Sequence, residues 1–127
     1  MSPDIAAREA LFEGFARALF RRDMDALYGV VSPDFVWRYH DGLSAERVLS
    51  DRNAILAHLD ERKEFFTESR FHEVVYRHVD DMSFMTFRVS EIVRATGEKR
   101  AQRGIERYTF KDGKIATKDV YRKPVAD

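Results

Sequence analysis

The sequence predicts an α+β domain in which helices come first and a long, curved antiparallel sheet follows. Three observations carry that prediction. Apolar residues recur at helical spacing through the first half. Segments rich in β-branched and aromatic residues fill the second half. Only short turn signals separate those segments, and short turns join neighbouring antiparallel strands into a meander. At 127 residues the chain suits one domain, 1–127, with a core that needs no covalent staples.

The elements follow in order. Ser2 and Pro3 suit the cap and first position of a helix whose apolar stripe is Ile5, Leu11, Phe12, Phe15, Leu19 and Phe20, with Arg8, Glu9, Arg17, Arg21 and Arg22 on its surface. A short second helix runs from Met24 to about Val31 and is stopped by Ser32-Pro33-Asp34. Phe35 to His40 reads as a strand ended by Asp41-Gly42. A third helix from about Asp51 to Phe66 carries Ile55, Leu56, Leu59 and Phe66 as its stripe. Strands are expected over Arg70–Val79, Met82–Val93, Lys99–Phe110 and Lys114–Lys123. Strands of this length must curve to wrap the helices.

Composition excludes several function classes. With no cysteine there are no disulfides, thiolate metal sites or cysteine nucleophiles. Lys+Arg and Asp+Glu are 22 each, which removes the global electrostatic argument for nucleic acid or an anionic membrane. Charges recur too early for a secretory leader, and no window has the apolar length of a membrane span, so a soluble cytoplasmic protein is expected. The basic run Arg94, Lys99, Arg100, Arg103 and Arg107 is interleaved with Glu91, Glu98 and Glu106 and reads as a charge-laced sheet edge. The four histidines lack metal-ligand spacing, so no metal is expected. His40 belongs to a solvated turn, His58 to a helix surface and His78 to a hairpin end.

Turn arithmetic builds an inner sheet face. A two-residue loop at Asp80-Asp81 pairs His78 with Ser83, Tyr76 with Met85, Val74 with Phe87, His72 with Val89 and Arg70 with Glu91. The opposite face then carries Phe71, Glu73 and Val75 beside Phe84, Thr86, Arg88, Ser90 and Ile92. A turn at Gly97-Glu98 sets Glu91 opposite Gly104 and Val89 opposite Glu106, and moving it by one residue keeps the faces. Arg70, His72, Tyr76, Met85, Phe87, Glu91, Glu106, Tyr108 and Phe110 therefore share one face. At the last hairpin, a two-residue Asp112-Gly113 turn would set Glu106 opposite Asp119, whereas a three-residue loop with a glycine bulge would set it opposite Lys118. The second is preferred, because a Glu–Lys pair compensates where two carboxylates repel.

The segment from Arg22 to Trp37, with its Arg-Asp-Met-Asp turn, short helix and Ser-Pro-Asp-Phe-Val-Trp strand entry, resembles SnoaL-like and ketosteroid isomerase-like proteins of the nuclear transport factor 2-like superfamily. The ending Tyr108-Thr-Phe-Lys-Asp-Gly-Lys-Ile115 is similar to that family's last hairpin. The resemblance implies a cone in which a curved sheet wraps three helices around a deep apolar pocket. It also implies a homodimer through the outer sheet face, where Phe71, Val75, Phe84 and Ile92 would lie. The isomerase's aspartate base aligns with Tyr39, its oxyanion tyrosine with Phe15 and its protonated aspartic acid with Glu106. Two of the three roles are thus missing, and a tyrosine is no base near neutral pH, so steroid isomerisation by that mechanism is not expected.

Two groups could carry chemistry. Glu106, desolvated in an apolar pocket, could donate a proton or hydrogen bond, or be the partner of Lys118 or Arg70 in a structural ion pair. His72, oriented by Glu91, could act as general base or acid, or pack beside an Arg70–Glu91 rim salt bridge. Phe15, Trp37, Tyr39, Tyr76, Phe87, Tyr108 and Lys118 would line a pocket for a flat ligand, or form plain core. The expected function is binding of a small, largely apolar molecule, with cofactor-free acid–base catalysis of the isomerase, dehydratase, cyclase or hydrolase type. The alternative is a non-catalytic ligand-sensing or protein-interaction module of the same fold.

Overall fold

The computed structural model describes residues 2–40 and 45–125. Helix α1 (Ile5–Arg21) is capped by Asp4 rather than Ser2, because the Asp4 carboxylate accepts the Ala7 N–H at 2.8 Å. It ends at Arg22, whose left-handed φ of 56° turns the chain, and Asp23 caps α2 (Met24–Val30) the same way as Asp4 caps α1. Strand β1 (Val31–His40) begins before the predicted Phe35, since Ser32-Pro33-Asp34 interrupts the pairing without ending the strand. The predicted stop at Asp41-Gly42 lies outside the described residues. A short β2 (Arg47–Leu49), not predicted, precedes α3 (Arg52–Phe65), which Asp51 caps. The meander is β3 (Phe66–His78), β4 (Met82–Val93), β5 (Lys99–Lys111) and β6 (Lys114–Pro124).

The strands form one curved, unclosed sheet in the order β2-β1-β6-β5-β4-β3, antiparallel except where β1 lies parallel to β6. Its concave face meets the helices over Leu27, Val31, Phe35, Ile55 and Ile115, all fully buried. Each such side chain contributes about 1.5–3 kcal/mol by leaving water. Arg8, expected on the surface, is buried instead. Its guanidinium donates to the carbonyls of Val79 (2.6 Å), Asp80 and Met82 (2.9 Å), binding α1 to the β3–β4 turn. No helix among the described residues is long and apolar enough to cross a membrane. The basic run does not lie on an edge, because β5 is an interior strand and the meander's free edge is β3.

Registers decide which residues face inward, and two bulges change the prediction. His78↔Ser83 and Tyr76↔Met85 pair as predicted. Between Val75↔Thr86 and His72↔Arg88, however, both Glu73 and Val74 oppose Phe87, with Glu73 at φ 53°. This bulge shifts the register by one, so every side chain beyond it changes face. Ser69 now opposes Glu91 and Phe71 opposes Val89, while Arg70 and His72 oppose Ser90 and Arg88 on the outer side. Phe71 therefore leaves the outer face proposed for dimer contact and packs on Phe87, ring centroids 5.1 Å apart. On the next pair, Glu91 meets Arg100 rather than Gly104, but the faces are as predicted and Met85 opposes Glu106.

The last hairpin follows neither alternative. Lys111↔Lys114 closes a two-residue turn with Asp112 and Gly113 both at positive φ (53° and 76°), as a type I′ turn requires. Ala116 is then left over between Phe110↔Ile115 and Thr109↔Thr117. Glu106 consequently opposes Val120, with Lys118 opposite Tyr108. The extra residue turns Lys118, Val120 and Arg122 inward and sends Asp119 outward, where Arg107 (2.8 Å) and Arg38 (3.3 Å) cover it.

Candidate functional site

The concave face holds two connected polar groups. The first is built on β5 and β6. Glu106 accepts a short hydrogen bond from the Tyr108 hydroxyl, and Lys118 Nζ lies 3.6 Å from its carboxylate. The same ammonium sits over the rings of Trp37 (4.1 Å) and Phe15 (4.8 Å). Burial pushes the Tyr108 hydroxyl well above its ordinary pKa, and the Glu106 charge adds to this. Burial also draws Lys118 down, against the attraction of Glu106. Tyr76 stacks on Phe12 at 4.9 Å, and its pKa is raised by burial and then by Glu106.

The second group surrounds Tyr39 at the mouth of the cone. Arg62, one turn from the end of α3, donates to the Tyr39 hydroxyl at 3.0 Å and to Glu91 through a short charge-assisted bond. Glu91 also accepts from Ser69 Oγ at 2.9 Å, and Arg122 Nη1 lies 3.5 Å from it. His58 packs against Trp37 (5.3 Å) and Tyr39 (5.1 Å) and is only 3% exposed. Burial, with the positive charges of Arg62, Arg47 and Lys118, lowers its pKa to about 4, so the imidazole is neutral near pH 7. Five buried polar atoms here have no hydrogen-bond partner among the described residues: Trp37 Nε1, both His58 nitrogens, and Nε and Nη1 of Arg122.

Two clefts open at this mouth, of about 400 and 240 Å³. Both are lined by Tyr39, Arg62, Phe66 and Arg100; the larger adds Glu91 and the smaller adds His58. Glu106 and Lys118 line neither. A wider depression of about 690 Å³ lies on the other side of the sheet, where His40, Thr86, Arg103, Ile105 and Tyr121 face outward. It is open to solvent, and Phe87 and Arg122 of the concave side also line it.

Phe15, Trp37, Tyr39, Phe87, Tyr108, Lys118, Glu91 and Glu106 are all buried on the concave side, and Tyr76 closes its rim. The predicted pairing of His72 with Glu91 is not formed. His72 is exposed on the outer face, with Nε2 3.1 Å from Ser90 Oγ, because the bulge at Glu73 reverses its side. Arg70 is also outside, 3.2 Å from Glu68. Arg62 and Arg122 were missed, and His58 was placed on the surface. A signal existed for each: Ile55, His58 and Arg62 fall on one helical stripe, and Arg122 follows Lys118 and Val120 at strand alternation.

A family model described as the SnoaL-like domain matches residues 12–118. The fold and the match together define a small α+β cone of the nuclear transport factor 2-like type. The chain belongs to the SnoaL-like domain family. No curated protein matches it by sequence. Among solved structures, a nuclear transport factor 2-like protein from Burkholderia xenovorans superposes with a TM-score of 0.82 at 16% identity, over 94% of this chain and 92% of that one. A proposed polyketide cyclase from Xanthomonas campestris gives 0.71 at 16% identity over 91% and 90%. TerC, co-crystallised with polyporic acid, gives 0.70 at 13% identity over 90% and 89%. At these identities the likeness concerns the fold.

Proposed function

We propose that this chain binds a small, largely apolar molecule inside the cone, admitted at the mouth framed by Tyr39, Arg62 and Phe66. One observation carries the reading: His58, in the wall of the smaller cleft beside Tyr39, has both ring nitrogens without a hydrogen-bond partner among the described residues. Buried polar groups are nearly always paired, so such a group at a cleft is where the polar end of a bound molecule can dock. The aromatic wall of Phe15, Trp37, Tyr39, Phe87 and Tyr108 supplies flat apolar surface behind it. A protein of the same fold crystallised with a small organic molecule supports the reading at the level of the fold.

For cofactor-free proton transfer at the mouth, the available groups are Glu91, Tyr39 and the neutral His58. A non-catalytic sensing module is the second reading, favoured by the closure of Glu106 under Tyr108 and Lys118. In either case the homodimer expected from the outer sheet face would meet Val75, Phe84 and Ile92 and not Phe71.

The test uses the chain's one tryptophan. Trp37 gives a single indole N–H resonance, which should shift when members of a panel of small aromatic molecules are titrated in. Gln102→Trp, at an inward-facing position of β5 that lines the larger cleft, should weaken binding at least tenfold, and Phe20→Ser on the exposed side of α1 should leave it unchanged. A resonance that no member of the panel moves, or binding indifferent to Gln102→Trp, would refute the reading.

A further inference from the structure

The smaller cleft at the mouth is rich in hydrogen-bond donors and poor in acceptors. Arg47, Arg62 and Arg100 all line it. Glu61 is the only carboxylate among the described residues of its wall, and Arg47 takes both of its oxygens, at 2.8 and 2.9 Å. Arg62 and Arg100 are held in turn by Glu91 and Glu98. The Tyr39 oxygen already accepts from Arg62 at 3.0 Å, and the Tyr39 O–H has no acceptor among the described residues. His58 differs from all of these. It is buried and neutral near pH 7, and neither ring nitrogen has a partner. A neutral imidazole keeps one N–H donor and one bare acceptor nitrogen. Leaving that nitrogen buried and unpaired is unfavourable.

The neighbouring rings do not repair this. Trp37 and Tyr39 pack on the imidazole with centroids 5.3 and 5.1 Å away, yet neither the indole N–H nor the phenol reaches a His58 nitrogen. The partner that His58 wants is therefore a donor brought in through the cleft. We infer that the ligand is a flat aromatic alcohol, a phenol or naphthol, whose hydroxyl docks in the smaller cleft and donates a hydrogen bond to the bare nitrogen of His58. The same hydroxyl oxygen accepts from the Tyr39 O–H, which lines that cleft too. One hydroxyl serves both, because it carries one donor and two acceptor positions. Phe65 and Phe66, whose ring centroids are 4.8 Å apart in the wall of the cleft, offer flat surface to the ring that bears it. Arg62 is a positioning residue, fixing the Tyr39 hydroxyl while Glu91 holds the guanidinium. The inference rests on the cone-binding reading and narrows its ligand class.

A matched pair of probes separates the two ideas. The Trp37 indole resonance would be followed while 2-naphthol and 2-methoxynaphthalene are titrated in. Both have the same rings and an oxygen that accepts, and only 2-naphthol donates. It should bind about tenfold more tightly than its methyl ether. His58→Phe should bring the two within about twofold, mainly by weakening 2-naphthol. His58→Gln, whose amide oxygen still accepts, should keep part of the preference, and it serves where the phenylalanine variant fails to fold. Tyr39→Phe should weaken both probes and preserve their ratio, because both accept from the Tyr39 hydroxyl. Phe20→Ser on the exposed side of α1 should change neither. Equal binding of the two probes by the wild type would overturn the hydroxyl assignment and leave the binding reading standing. So would a preference that survives His58→Phe, or one abolished by Phe20→Ser. Absence of binding by both probes would overturn the binding reading itself, and the hydroxyl assignment with it.

Discussion

His58 makes the protein acid-sensitive in a way that can be measured apart from its carboxylates. In the folded state its imidazole lies between Trp37 and Tyr39 without a partner, and its pKa falls from 6.5 to about 4. In the unfolded chain it titrates near its ordinary value. Between about pH 6.5 and pH 4 the unfolded state therefore holds more protons, and stability rises with pH. The contribution is complete above about pH 6.5 and is lost as the pH falls to about 4. Each tenfold difference in proton affinity is about 1.4 kcal/mol, so the displacement from 6.5 to about 4 amounts to about 3 kcal/mol. About 2 kcal/mol of that is lost between pH 7.5 and pH 5. Urea denaturation at those two pH values, on the wild type and on His58→Phe, isolates the effect, because the carboxylates titrate in both. The variant should lose about 2 kcal/mol less than the wild type on acidification. Equal losses would refute the burial argument and return His58 to the solvated surface.

Two further substitutions test the inner face. Lys118→Met leaves the Glu106 carboxylate buried without its cation and should cost about 3–5 kcal/mol in chemical denaturation, most of it recovered by adding Glu106→Gln. A single variant that loses under about 1 kcal/mol would show that the pair does not hold the interior together. Gly104→Ala should cost about 1–3 kcal/mol, because a Cβ there would lie 2.5 Å from the Phe87 ring and 2.7 Å from the Tyr121 carbonyl oxygen. The carbonyl belongs to the backbone and cannot swing aside. A thermal midpoint equal to that of the wild type would contradict the close packing of β4, β5 and β6.

Much of the fold is legible in single residues. Asp23 and Asp51 announce their helices, and Asp112-Gly113 announces a type I′ turn. Trp37 and Tyr39 share a face because strand alternation requires it. Half of the candidate site is legible on the same grounds: Glu91, Glu106 and Tyr108 are inside, as alternation and turn counting predict, and Lys118 is inside as the preference for charge compensation predicts. The errors of facing within the meander come from one source. A bulge adds a residue and reverses the face of everything beyond it. Glycine would have marked such a place, but Glu73 occupies the left-handed position in β3, and Ala116 is the extra residue in β6. Neither residue type signals a break. His72 and Arg70 were carried outward by the first bulge. The second kept Lys118 inside by a route that the preferred three-residue loop did not describe.

By itself, the sequence determined the three helices, the first strand and the antiparallel meander in their order, without the short β2, and the aromatic lining of the cone. These follow from local periods, caps and turns, which act over a few residues. It also excluded cysteine chemistry from composition alone. Only the tertiary structure decided the charge pattern inside. Arg62 comes from α3, Glu91 from β4 and Arg122 from β6, and their meeting around Tyr39 depends on the curvature of the sheet and on two bulges. A chain of zero net charge can therefore enclose a surplus of positive charge, because the total counts residues and the interior counts only those that the registers turn inward.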